Sequence, residues 1–236
     1  MRAPAFFNWS GGKDSALALW HAQQGNAYDV RALLTTVSAA HNRILMHGVR
    51  AELLQAQARA LGLPLHQALM PHQPTMDAYN ATMQQTVNAL KAQGLTHALF
   101  GDIYLEDLRA YREQQLHAAG LQAAFPIWGR DTRALLVDFW QAGFKAVIVC
   151  VDESKLDASF AGRTLDAACV EAFPPGVDPC GENGEYHTFV YDAPNFAAPI
   201  PITLGPRERH TYPAPRTDNS AAGAEAAFWF CDLLPA

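Results

Sequence analysis

Apolar and polar positions run along the first half of the chain with two alternating periods. Apolar runs at residues 5–9, 29–37, 65–70 and 96–100 have the length of buried strands. Between them, residues 14–24, 49–61, 76–93 and 105–119 carry apolar side chains at three- and four-residue spacing, which predicts helices. Gly25, Gly62, Gly94 and Gly120 follow as stops. Residues 123–128 read as one more strand-like segment. Strands and helices in this alternation predict βαβ units around a parallel sheet, an α/β fold whose ligands lie beyond the carboxyl ends of the strands.

The pattern changes near residue 128. A helix over 132–142, a strongly apolar strand over 146–151, a helix over 165–173 and a long polar loop are followed by a strand over 186–191. Pro-rich segments then run from Pro194 to Pro215, residues 217–223 read as a mobile loop, and 227–233 read as a docking strand. The reading is therefore two domains, 1–128 and a smaller α+β domain over 129–236.

Composition narrows the function. Half of the 236 residues are apolar and 17% are charged, which describes a globular chain. The net charge of −6 is unevenly placed. Residues 1–128 hold nine basic and eight acidic residues, and 129–236 hold eight and fifteen. With no basic tract, a nucleic-acid partner is not expected. No apolar run reaches the ~18 residues of a membrane span, and no secretory leader is evident, so no membrane partner is expected. Four widely spaced cysteines with no C-x-x-C pair point to a reducing, cytoplasmic setting.

Two segments carry candidate chemistry. Ser10-Gly11-Gly12-Lys13-Asp14-Ser15 lies between the first predicted strand and helix. Its glycines permit a sharp turn, the helix start offers orphan amides, and Ser10, Ser15 and Lys13 add donors, which together make an anion cradle. It is neither a Walker A loop nor a dinucleotide turn. The second segment, Asp178 to Val190, packs Glu182, Glu185 and His187 into six positions, with glycines around Asn183 that allow a tight turn. On the residues alone this is either a solvated hairpin or a cluster that binds a cation or moves a proton.

The first string resembles the PP-loop of the ATP pyrophosphatase superfamily. The resemblance implies a doubly wound, mostly parallel sheet of the adenine-nucleotide α-hydrolase type. It also implies cleavage of ATP between its α and β phosphates, with adenylation of a carbonyl or carboxyl oxygen. Over nearly its whole length the chain resembles the diphthine–ammonia ligase family. The resemblance rests on Ser10 to Ser15, Met46-His47-Gly48-Val49-Arg50, Gly101-Asp102-Ile103, Pro126-Ile127-Trp128, Gly162-Arg163 and Glu182 to Val190. Archaeal and eukaryotic members use ATP and ammonium to amidate diphthine on translation elongation factor 2. Their late motif reads E-G-G-E-[FY]-E, whereas Asn183 and His187 here resemble a largely bacterial subgroup linked to corrinoid metabolism.

The resemblance implies ATP and Mg2+ as cofactors, and ammonium and a carboxylate as substrates. It leaves assembly into a homo-oligomer open. It assigns ATP binding to Ser10, Gly11, Gly12, Lys13, Asp14, Ser15, Thr35, Ser38, Gly101 and Asp102. Asp14 and then Asp102 are the metal candidates. His47, Arg50 and Asn183 are assigned to the substrate, and Glu182, Glu185 and His187 to catalysis. The rival readings are a PP-loop tRNA-modifying enzyme, which calls for a basic surface, and a nucleotide-binding regulatory module, which leaves the acidic late motif without a use.

Overall fold

A computed structural model of the chain describes residues 1–45, 47–71, 75–213 and 225–236. The first sheet contains β1 (Ala3–Asn8), β2 (Tyr28–Ser38), β3 (Arg43–Ile44), β4 (Leu65–Met70), β5 (His97–Leu99) and β6 (Gln122–Ala124). β1, β2, β4, β5 and β6 are parallel, and the two-residue β3 runs antiparallel at the end of β2. The chain winds from β1 out to β2 and β4, then returns to the other side of β1 for β5 and β6. The crossovers are α1 (Lys13–Gln24), α2 (Ala51–Leu61), α3 (Met76–Ala92) and α4 (Glu106–Ala118). This is the doubly wound α/β sheet that the alternation predicts.

The rest of the chain builds α5 (Thr132–Gln141), β7 (Lys145–Asp152), α6 (Ala167–Glu171), β8 (Tyr186–Asp192), β9 (Ile202–Pro213) and β10 (Glu225–Pro235). Its four strands form an antiparallel sheet in the order β8-β7-β10-β9. One apolar core joins both sheets, combining Phe7, Leu19 and Leu53 with Val147, Phe189 and Leu233. A second core, with Phe6, Leu34, Leu90 and Phe100, fills the opposite face of the first sheet under α3 and α4.

Several elements differ from the sequence reading. The Pro-rich region contains the twelve-residue β9, which the reading missed. Among the described residues β9 is an edge strand, and Pro206 sits where its register with β10 slips, so its missing N–H is tolerated there. The strand-like 123–128 shortens to β6, because Pro126 breaks the ladder and a turn follows. The helix over 165–173 shrinks to α6, which starts at an Asp166 cap bonded to the Cys169 amide and stops short of Pro174. The mobile-loop reading of 217–223 falls outside the described residues. All four cysteines are free and buried.

Candidate active site

The strand order sets the carboxyl ends of β1 and β5 side by side, where the winding reverses. A cavity of about 570 Å³ lies there, within the range of small-molecule sites. Its walls come from the loop after β1, the segment after β5, the end of β2, α3, α4 and the late motif.

The loop after β1 holds its shape through its own bonds. Ser10 Oγ and Ser15 Oγ are 3.0 Å apart, and Ser15 Oγ donates to the Gly12 carbonyl at 2.9 Å. Gly12 caps α1 without a side chain, and the Lys13 amide donates instead to Thr188 Oγ1 of β8 at 3.0 Å. The first helical bond runs from Ala16 to Gly12, so the Asp14 and Ser15 amides have no helical carbonyl to serve. These donors and the helix dipole suit a phosphate. Gly11 adopts φ +77°, and a Cβ there would lie 2.6 Å from Gln57 Oε1. A Cβ on Gly101 would lie 2.8 Å from the Ser15 nitrogen, so the segment after β5 reaches the loop only because Gly101 has no side chain.

Lys13 does not stand free toward a phosphate. Its buried ammonium donates to Asp14 at 2.8 Å and to the Cys180 carbonyl, and sits 4.8 Å above the Tyr186 ring. Burial alone would lower its pKa, but Asp14, with Tyr186 and Cys180, outweighs burial and holds it above the usual lysine value. Lys13 is therefore a strut between the loop after β1 and the late motif. Burial raises the Asp14 carboxyl despite the pull of Lys13.

The two glutamates of the late motif face different ways. Glu182 lines the cavity, and its Oε1 accepts from the Ile103 amide at 2.7 Å. Burial pushes its pKa up to about 7 against that bond, and Asp14 and Asp102 add to the rise. Glu185 is 3% exposed and sits beneath the turn, outside the cavity wall. Its carboxylate accepts from the Asp178 amide at 3.1 Å, and from the Asn183 amide and side-chain amide at 3.0 Å each. Asn183 is thereby tied to Glu185 and does not line the cavity.

His187 and His47 stack in the cavity wall with ring centroids 4.4 Å apart. Burial pushes His47 down to about 4, against a bond with the Thr188 backbone. Burial also drives His187 well below the usual value, with His47 and Lys13 adding to the effect. Both rings are neutral at pH 7. The buried Nδ1 of His47 has no partner among the described residues.

Thr35, Gly101 and Asp102 also line the cavity, whereas Gly11, Ser38 and Arg50 do not. Ser38 ends β2 and pairs with β3 and β4. Arg50 points to β10, where it and Arg43 reach Asp232 at 2.7 Å. Burial would raise Asp232, but the two guanidiniums hold it down at about 2.

Sequence reading missed several residues that shape the site. Gln57 is fully buried, accepts from Trp9 Nε1 at 2.9 Å and donates to the Gly11 and Val190 carbonyls. It lies on the same helical face as Leu53, Leu54 and Ala58, so a polar side chain at a core position was the available signal. Arg112 lines the cavity and pairs with Asp102, with both contacts at 3.1 Å. Burial raises the Asp102 carboxyl against that pull. No pattern in the polar α4 singles out Arg112.

Among the described residues, no three metal-ligating side chains gather into one group. Magnesium takes one or two carboxylates and fills its shell with phosphate and water. Asp14, beside the orphan amides, gives one oxygen to Lys13 and keeps the other for such an ion, while both oxygens of Asp102 face Arg112.

Comparison with known proteins adds a family. The model for the diphthamide synthase N-terminal domain matches residues 1–123, and that for the diphthamide synthase C-terminal domain matches 131–213. A diphthine–ammonia ligase of Danio rerio is 26% identical over 216 residues, covering 82% of this chain and 84% of its own.

Proposed function

Because the chain belongs to the diphthamide synthase family, we propose that it is an ATP-dependent ligase that converts a carboxylate to an amide with ammonia. Bound ATP supplies the adenylyl group that activates the carboxylate, with pyrophosphate and then AMP as leaving groups. One observation carries the reading: orphan amides at a helix start, Gly101 pressed against them, and Glu182 share the walls of one cavity.

The Asp14 and Ser15 amides and the Ser10 and Ser15 hydroxyls hold the phosphates. Thr35 borders the adenine, and Asp14 holds magnesium, which neutralises phosphate charge. Ammonium must lose a proton before it can attack, and Glu182, with its pKa near 7, suits that task. The neutral His47–His187 pair adds no positive charge to the cavity wall and so does not repel an incoming ammonium. Glu185 and Asn183 hold the loop that presents Glu182.

The relative's name speaks of diphthine. For this chain the Asn183 and His187 form of the late motif favours a corrinoid-related acid as acceptor. The setting is cytoplasmic, and the boundary between the two domains falls at 128/129.

The test is 31P NMR of the products formed from ATP, ammonium and a panel of corrinoid acids and diphthine-bearing elongation factor. AMP and pyrophosphate should form only with ammonium present. Glu182→Gln should slow amide formation about 10²- to 10⁴-fold while ATP still binds. ADP and orthophosphate as products, or a wild-type rate in Glu182→Gln, would overturn the reading.

A further inference from the structure

We propose that the inner lobe of the cavity, between α3 and α4, seats the acceptor, and that Arg112 holds the acceptor's carboxylate. The inference rests on the ligase reading of the cavity and names a binding group that reading lacks.

The cavity has two parts. One lies over the phosphate loop and the end of β2. The other penetrates the apolar layer between the first sheet and α3 and α4, walled by Phe6, Met83, Val87, Phe100 and Leu116. Such a lobe suits an apolar body, with a few polar groups to orient it. Tyr111 on α4 donates to Asn80 Oδ1 on α3 at 2.8 Å, which ties the two helices across the lobe.

Among the described residues, Lys13 and Arg112 are the permanent cations in the cavity wall. Lys13 is spent on Asp14 and Cys180. Among the described residues, Arg112 has an ionic contact only with Asp102. Its Nε faces Asp102 Oδ2 at 3.1 Å but off the hydrogen-bond line, so the pair holds the guanidinium without using all its donors. Five N–H groups in a planar fork match a carboxylate. The guanidinium also lies 4.4 Å from the centroid of the Phe100 ring, which fixes its plane and fills the aromatic face that a cationic ligand would seek. Arg112 thus offers an anion the donors that Asp102 leaves unused.

Its position fits the chemistry. Asp102 follows Gly101, which abuts the Ser15 amide, and precedes Ile103, whose amide holds Glu182. A carboxylate on Arg112 therefore lies along the segment that joins the phosphate cradle to the proton acceptor. The ligand class is a carboxylic acid whose carboxyl is carried on an apolar arm that fits the lobe, whatever the size of the body outside it.

The test titrates the full chain with 3-phenylpropionate and with 3-phenylpropylamine in the presence of α,β-methylene-ATP, followed by saturation-transfer NMR. The acid should bind and the amine should not. Arg112→Gln should weaken the acid about tenfold or more and leave nucleotide affinity unchanged. Arg112→Lys, which keeps the charge and loses the fork, should fall between them and decides the matter if Arg112→Gln does not fold. Equal binding of acid and amine, or undiminished acid binding in both variants, overturns the proposal. So does a parallel loss of nucleotide affinity, which would give the lobe to the nucleotide. If the wild-type chain binds no nucleotide, the ligase reading itself falls, whereas nucleotide binding without acid selectivity removes the Arg112 assignment alone.

Discussion

The phosphate loop and the late motif face each other across one cavity, and they are built in opposite ways. The phosphate loop is mostly backbone: two glycines and a helix start, with the Lys13 N–H donating to Thr188 and the Gly11 carbonyl accepting from Gln57, beside the loop's own serine bonds. The late motif is held by its own side chains, with Glu185 binding the amides of Asp178 and Asn183. A backbone site can be recognised from a string of residues. In a side-chain site, adjacent residues of one type can do different work, as Glu182 and Glu185 show.

The contrast is broken most strongly at Gly101. A valine there would drive a Cβ into the Ser15 amide and displace the start of α1. A shift of about 1 Å in such a site costs on the order of 100-fold in rate, so turnover of Gly101→Val should fall on that scale and calorimetry should show weakened ATP binding. Wild-type affinity would mean the phosphates bind elsewhere.

Glu185→Gln tests the other side. The substitution replaces a buried acceptor oxygen with a donor facing N–H groups. It should cost about 1–3 kcal/mol and lower the melting temperature by about 2–4 °C for each kcal/mol, with ATP affinity retained. Loss of turnover at unchanged stability would instead make Glu185 a catalytic residue.

These two sites also mark what the sequence could reveal. The α/β alternation and the phosphate loop were legible because periodicity and glycine placement are local properties. β9 was hidden, since its prolines resemble a loop until the strand's edge position is known. Glu182 and Glu185 were both nominated, and only the fold separates them, because the distinction lies in Ile103, seventy-nine residues from Glu182 in sequence. Arg50 matched a family segment yet serves Asp232 near the far end of the chain. Arg112 carried no signal, because its meaning comes from Asp102 and Phe100 after folding.

The smallest expected effect concerns the stacked histidines. His47 is depressed to about 4, so between its ordinary value near ~6.5 and 4 the unfolded chain binds a proton that the folded chain does not. Stability conferred by the neutral ring is complete above the unfolded value and is lost as pH falls through this window. His47→Gln should narrow the drop in melting temperature between pH 7 and pH 5. The raised carboxyls of Glu182, Asp14 and Asp102 act in the opposite direction, since their folded forms take up protons first. The comparison must therefore be made between variant and wild type. An unchanged drop would mean that His47 is protonated in the folded chain.

The central claim is that the cavity between the phosphate loop and the late motif is the nucleotide site. Amide chemical-shift mapping with α,β-methylene-ATP tests it most directly. The largest changes should fall at Asp14 and Ser15, with Gly101 to Ile103 and Glu182 responding across the cavity. Saturable binding with the largest shifts elsewhere, or no shifts at these amides, would contradict it.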